Sequence, residues 1–332
     1  MRFIIYGAGA IGSTVGGHLN RTHHNVVLVG DPEHVDMIRQ RGLRLVTPEK
    51  TYILEIPVVK KAAELTPFGE GDILLLTAKS QHTLICLGQL KNAGAPGTLP
   101  IFCLQNSIWN EALATRIFDR VYGVVVSVSG IFLTPGEVVN PALGSAGFLG
   151  IGRYPSGSDE LAKEVAEAFR EAGFAAGVNE RIMKAKAAKC LRNLGNAMGA
   201  ITKGKGDRRE YMAATRREAM EVWRAAGIEW EDPEEFERRI LEGHGVTTMP
   251  KGYENIRNFG SSWQDLERRT GNIESEQLNG DVVKLGRLLG IRAPYNEVLW
   301  QVAEEMARNY ESAGKYSAED LMDMVKEKMK EP

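Results

Sequence analysis

Short apolar runs bounded by turns dominate the first half of the chain. Phe3–Tyr6, Val26–Val29, Ile73–Thr77, Ile101–Leu104 and Tyr122–Val128 have the length and composition of buried strands. Helical spacing appears between them, most clearly over Ile11–Asn20, and over Pro32–Arg41 with Val35 and Ile38 on one face. Strands alternating with helices predict βαβ units around a parallel sheet. Val138–Val139 and Phe148–Ile151 predict further strands near the end of that sheet. Ser158 reads as an N-cap, with Asp159 and Glu160 in the first turn of a helix that runs to about Ala172 and stops at Gly173.

Beyond residue 180 the period becomes helical. Ile182–Ile201 and Arg209–Ala226 predict helices, the second stopped by Gly227. A charged stretch, Asp232–Glu242, leads into Gly243–Gly260, which is rich in Gly, Pro and Asn and reads as a long loop. Helices resume near Ser262, over Glu274–Leu289 and over Tyr295–Tyr310. Ser317 with Asp320 resembles a capping box that opens a last helix. The expected organisation is an N-terminal doubly wound Rossmann-like α/β domain over residues 1–180 and an all-helical substrate and catalytic domain over 181–332.

Charge sharpens that division. Of 41 basic and 43 acidic residues, 15 and 17 lie in the longer first part, so the helical part carries most of the charge on fewer positions. A sheet buried on both faces and a helical domain with wet surfaces give this contrast. The near-neutral balance excludes an electrostatic footprint for nucleic acid. No apolar run reaches membrane-spanning length. Met1 and Arg2 run straight into the first strand, so no signal peptide is expected. Cys86, Cys103 and Cys190 form no CxxC and have apolar neighbours, which predicts reduced, buried thiols in a cytoplasmic protein.

The first candidate for chemistry is the run Gly7-Ala8-Gly9-Ala10-Ile11-Gly12, a G-x-G-x-x-G between a strand and a helix. In that context it predicts a dinucleotide site. Gly7 makes the tight turn, Gly9 lets backbone approach a pyrophosphate, and Gly12 allows close helix–strand packing. Asp31 follows the second strand, nineteen positions after Gly12. A carboxylate there accepts hydrogen bonds from ribose hydroxyls and repels a 2′-phosphate, which favours NAD over NADP. The alternative role for Asp31 is to cap the helix that starts at Pro32.

Other strings follow in order: Leu104-Gln105-Asn106; Lys189-Cys190-Leu191-Arg192-Asn193; Ser261-Ser262-Trp263-Gln264-Asp265-Leu266-Glu267; Glu274; and Leu278-Asn279-Gly280. Together with Leu288-Leu289-Gly290-Ile291-Arg292-Ala293-Pro294, they resemble the ketopantoate reductase (2-dehydropantoate 2-reductase) family from residue 2 to about residue 310. The resemblance implies reduction of ketopantoate to pantoate with NADPH on the route to pantothenate. It also implies an active site in the cleft between the two domains. By resemblance Lys189 is the catalytic lysine, Asn193 an asparagine one turn along, and Asn106 the cleft asparagine. Glu274 matches the glutamate that binds the substrate hydroxyl, and Lys79 a lysine at the cofactor's edge. Counting back from Asp265 assigns the substrate serine to Ser261, and counting back from Glu274 assigns it to Ser262. The first frame is preferred, because it also places Asn258 on a site residue. A homodimer through the helical domain rests on the resemblance alone.

Three departures from the family pattern stand out. Asp31 replaces the arginine that pairs with the 2′-phosphate, Ser107 replaces a glycine, and Ile273 replaces a threonine. They leave open NAD or NADP, and ketopantoate or another 2-oxo acid.

Reducing a 2-oxo acid turns a carbonyl into a developing alkoxide, which needs a proton or positive charge at that oxygen. A lysine supplies both if burial lowers its pKa. Lys189 sits among Ala187, Ala188, Cys190 and Leu191, an apolar stretch, unlike Lys184 and Lys186; Asn193 lies at i+4 on the same face. Each candidate has a plainer role: a surface lysine, a solvated helix start at Glu274, caps at Ser261 and Ser262, a turn residue at Asn106. No histidine has metal-ligand spacing and there is no G-x-S-x-G. The competing expectation from another class is a non-catalytic NAD(P)-binding redox sensor.

Overall fold

β1 (Arg2–Tyr6) is apolar and buried at every position after its first, because α1 (Ala10–Arg21) and later helices cover both faces of the sheet it centres. The structure, a computed structural model, describes residues 1–203, 207–256 and 260–330. Two compact units are formed: Met1–Lys186 with Glu231–Arg257, and Ala187–Trp230 with Asn258–Pro332.

In the first unit the chain continues through β2 (Asn25–Val29), α2 (Pro32–Arg41), β3 (Leu43–Val46), β4 (Thr51–Leu54), β5 (Val58–Val59) and β6 (Asp72–Leu76). Then come α3 (Thr83–Asn92), β7 (Ile101–Cys103), α4 (Asn110–Ala114), β8 (Val121–Ser127), β9 (Glu137–Val139) and β10 (Ala142–Leu143). β11 (Phe148–Arg153), α5 (Glu160–Glu171), β12 (Ala175–Val178) and the start of α6 (Ile182–Asn193) follow. Among the described residues the main sheet runs β12-β11-β8-β7-β6-β1-β2-β5. From β5 to β8 all strands are parallel, in the order expected of a dinucleotide-binding sheet, whereas β11 joins β8 antiparallel.

Alternation along each strand splits the core in two. Phe3, Ile5, Leu28, Leu75, Phe102 and Tyr122 pack on one face with Val165 and Phe169 of α5. Ile4, Tyr6, Leu74, Leu76 and Cys103 pack on the other with Leu87 and Leu90 of α3. Cys86, Cys103 and Cys190 are buried and form no disulfide.

The structure corrects two expectations here. Val138–Val139 lies in β9, which pairs with β3 in a separate three-stranded sheet, β4-β3-β9, and not at the end of the main sheet. The short β3 offers it an edge that no pattern within residues 138–139 could reveal. The N-cap of α5 is Asp159, whose carboxylate accepts from the Ala162 amide at 3.0 Å, rather than Ser158. An ionised acceptor at a helix start is favoured over a hydroxyl.

The second unit is helical: the rest of α6, then α7 (Asn196–Ile201) and α8 (Arg208–Ala225). α9 (Pro233–Gly243) and β13 (Val246–Thr247) belong to the first unit, and β13 pairs with β10, so part of the expected loop Gly243–Gly260 is a strand. The second unit resumes with α10 (Ser261–Glu267), a π-helical turn at Glu276–Gly280, α11 (Asp281–Leu289), α12 (Pro294–Arg308) and α13 (Ala318–Lys330). The helix expected over Ile182–Ile201 is interrupted between Asn193 and Asn196. The capping box forms: Ser317 N donates to Asp320 Oδ2 at 2.7 Å and Asp320 N to Ser317 Oγ at 3.1 Å. Met198, Tyr211, Leu299 and Leu321 share one core. No helix among the described residues is long and apolar enough to cross a membrane.

Candidate active site

The carboxyl ends of four neighbouring parallel strands gather the first set of candidates. β1 leads into the glycine turn, β2 into Asp31, β6 into Lys79 and β7 into Asn106. Ligands of open α/β sheets bind at this edge. Gly7 has φ +114, and a Cβ there would meet Ala78 N at 2.3 Å, so strand and turn approach as only glycine permits. A Cβ on Gly12 would meet Gly7 O at 2.2 Å. Gly9, the N-cap of α1, differs: a Cβ there would meet nothing within 4 Å, and no acidic residue occupies the first turn. The helix start, with the amides of Ala10 and Ile11 lacking intrahelical acceptors, is thus an open cradle that fits a pyrophosphate. Ala8 is held in place by its amide, which donates to Val29 O at 2.8 Å.

Asp31 occupies the N-cap position of α2, yet its side chain makes no capping hydrogen bond and is exposed. The capping role therefore does not account for this carboxylate.

A buried polar web fixes the loop after β7. Gln105 Nε2 donates to Ala78 O at 2.6 Å and to Thr83 Oγ1 at 2.8 Å. Thr83 Oγ1 donates to Asn110 Oδ1 at 2.7 Å. The Asn106 carbonyl accepts from Ser80 Oγ at 2.9 Å and from Asn110 Nδ2 at 2.6 Å. The same web thus holds both neighbours of Lys79, Ala78 by its carbonyl and Ser80 by its hydroxyl. Ser107 has φ +70, in the region that favours glycine.

In the second unit, Lys189 and Asn193 are half-buried on α6. Just past Asn193, the Leu194 carbonyl accepts from Asn279 Nδ2 at 3.2 Å, and Asn279 also donates to Asn296 Oδ1 at 3.0 Å. Asn279 of the Leu-Asn-Gly string therefore satisfies a carbonyl where the helix is interrupted. Glu274 is buried. Ser261 and Ser262 are the first two residues of α10, whose N-cap is Gly260, so neither serine is the cap. The Ser262 hydroxyl is buried without a hydrogen-bond partner. Asn258 lies outside the described residues.

Local sequence misses one group. Lys186, which the sequence pattern passes over in favour of Lys189, is buried and paired with the equally buried Glu111 of α4. Burial pushes the Glu111 carboxyl up, and the Lys186 charge partly offsets this. Only the absence of a side chain at Gly123, on strand β8, signals the space these groups occupy. No cluster of three or more His, Cys, Asp or Glu among the described residues could hold a metal ion.

A Rossmann-like sheet whose glycine turn leaves an open helix start that fits a pyrophosphate, with a helical second part, is the architecture of a dinucleotide-binding class of protein. The comparisons narrow it: residues 3–154 match the ketopantoate reductase PanE/ApbA family model, and residues 181–307 match its C-terminal counterpart. The chain belongs to the ketopantoate reductase family. It is 29% identical over 313 residues to the 2-dehydropantoate 2-reductase of Pyrococcus horikoshii, covering 92% of this chain and 97% of that protein. The 2-dehydropantoate 2-reductase of Aquifex aeolicus is 26% identical, with 92% and 96% covered. Among solved structures, a PanE/ApbA family ketopantoate reductase from Ralstonia eutropha JMP134 is 28% identical with a TM-score of 0.75, covering 93% of this chain and 99% of that one. A D-mandelate dehydrogenase solved with NADH and anilino(oxo)acetate shares the fold at 21% identity, with a TM-score of 0.76 and coverages of 93% and 99%.

Proposed function

We propose that this protein reduces a branched 2-oxo acid, with 2-dehydropantoate to pantoate as the leading reaction. The observation that carries this reading is the family match, which runs through both the glycine turn and the helical part bearing Lys189, Asn193 and Glu274. The backbone of Gly7–Gly12 holds the pyrophosphate of a nicotinamide cofactor, Asp31 its ribose, and Lys79 and Asn106 the end toward the reacting carbon. The bound cofactor supplies hydride. Lys189 donates the proton to the carbonyl oxygen as it becomes an alkoxide. Asn193, at i+4, orients that ammonium or the substrate. Asn106 and a serine, Ser261 or Ser262, hold the carboxylate and carbonyl, joined by Asn258. Glu274 accepts a hydrogen bond from a substrate hydroxyl. The uncapped carboxylate of Asp31 supports NADH over the family's NADPH.

One observation favours a different acid within the same class. Ile273 is buried immediately before Glu274, so the hydroxyl of the family's threonine is missing there.

Steady-state kinetics on 2-dehydropantoate, with NADH and NADPH side by side, test the reading. Turnover with NADH preferred is expected, and Lys189→Ala lowers kcat by about 10²- to 10⁴-fold, the usual contribution of general acid catalysis. Near-normal turnover by Lys189→Ala overturns the mechanism. NADH binding without turnover on a panel of 2-oxo acids establishes the redox sensor instead.

A further inference from the structure

Lys186 and Glu111 form an ion pair whose side chains are 2% and 0% exposed. The proposed chemistry uses neither. Such a pair carries a desolvation cost that apolar side chains of the same volume avoid, so its presence calls for a specific role.

The remaining donors of the ammonium show what it holds. Lys186 Nζ donates to Cys103 O and to Gln105 O, each at 3.1 Å. The ammonium thus bridges two backbone carbonyls while ion-paired with Glu111. The Gln105 carbonyl belongs to the peptide that enters Asn106. The peptide that leaves Asn106 is fixed by Ser80 and Asn110 at its carbonyl. Both peptide planes flanking the Asn106 Cα are therefore tied down, and with them the two soft backbone torsions that set the direction of its Cα–Cβ bond. Glu111 lies five residues past Asn106, so the pair also pins the far end of the loop. The fold makes room for this: a Cβ on Gly123 would meet Glu111 Oε1 and Lys186 Cδ, both at 3.3 Å.

The geometry points to Lys186 as a positioning residue: with Glu111 it fixes the Gln105–Asn106 backbone so that the Asn106 side chain is presented to substrate and nicotinamide in one orientation. The inference rests on the function proposed above and deepens it. Misplacing a substrate-positioning group lowers the rate more than it weakens binding of the distant parts of the ligands.

The test is Lys186→Met/Glu111→Leu in the full chain, a charge-balanced replacement of the kind that buried pairs tolerate. Three readouts apply: amide hydrogen exchange over residues 104–110, kcat and KM for 2-dehydropantoate with NADH, and binding of ADP-ribose. The expected result is faster exchange in that loop, a kcat lowered about 10- to 100-fold and ADP-ribose binding unchanged. Unchanged loop exchange, or faster exchange with normal kcat, overturns the inference, because a pair that only fills space leaves both untouched. If the double variant does not fold, Glu111→Gln keeps the shape and removes the charge partner. Faster loop exchange with lowered kcat in that variant supports the anchoring, and normal values of either overturn it. A wild type that reduces no 2-oxo acid removes the proposed function instead, and loop exchange then decides the anchoring on its own.

Discussion

Gly123 of β8 and Gly152 of β11 lie directly opposite each other in their antiparallel ladder, and Ile182 at the start of α6 packs over both. A Cβ on Gly152 would stand 2.1 Å from Asn179 O and 2.7 Å from Ile182 Cβ; one on Gly123 would meet Ile182 Cγ1 at 3.3 Å. Ile182 and Lys186 are one turn apart on α6, so the same pair of glycines lets Lys186 descend to Glu111.

Gly152→Ala should therefore destabilise the protein by about 1–3 kcal/mol, the usual range for overpacking, because its obstacle is backbone that cannot rotate away. Gly123→Ala, whose contacts are side-chain atoms at 3.3 Å, should cost less. Urea denaturation of the two variants checks the order. Equal stabilities would mean that α6 does not approach β11 so closely.

At Asp31 the prediction concerns cofactor choice. With no capping duty, its carboxylate is available to repel a 2′-phosphate. Asp31→Asn should shift the ratio of kcat/KM for NADPH over NADH upward by about tenfold, which needs only about 1.4 kcal/mol of relieved repulsion. Melting temperature should barely move, since the side chain is exposed. An unchanged ratio would remove Asp31 from the cofactor site.

The parts legible in the sequence are those whose cause is local. The bounds of α2 follow from Pro32 and Gly42, the start of α13 from Ser317 and Asp320, and the glycine turn from its place after β1. Features set by distant partners are not legible there. β9 joins β3 because of an edge ninety-odd positions earlier in the chain. The charged α9 packs with the first unit although its composition matches the second. Lys186 shows the limit most clearly: nothing in its immediate sequence points to a buried ion pair, and only Glu111 and Gly123, both far off in sequence, explain its burial.

His18 should make stability fall in mild acid. Its ring is buried, with Nε2 3.2 Å from Asn140 Oδ1 and Phe174 packed edge-on at 5.3 Å. Burial pushes its pKa down to about 4, and the charge of Arg21 adds to the effect. Unfolded, the ring titrates near 6.5. Between these values the unfolded chain binds a proton that the folded one refuses, so stability is full above about pH 6.5 and is lost toward pH 4, by an amount on the order of 3 kcal/mol. His18→Gln should flatten that slope when unfolding is followed across pH. A slope identical to wild type would show that other groups cause the acid loss.

Asp281 should act with the opposite sign. It opens α11 beside Glu276, and Lys284 Nζ lies 4.0 Å from its carboxylate while pairing with Glu276 at 2.6 Å. Burial raises its pKa to about 6; Lys284 offsets this in part and Glu276 adds to it. An unfolded aspartate titrates near 4. In that window the folded state holds a proton that the unfolded chain has lost, so stability declines as pH rises through about 6 and the penalty persists at pH 7. A carboxylate in a first helical turn gains roughly 0.3–1 kcal/mol from the helix dipole, less than the roughly 3 kcal/mol implied by a two-unit rise. Asp281→Asn should therefore melt higher than wild type at pH 7 to 8, with the advantage shrinking as pH falls toward 4. Equal melting at pH 8, or an advantage that grows in acid, would show that the dipole and Lys284 outweigh burial at this carboxylate.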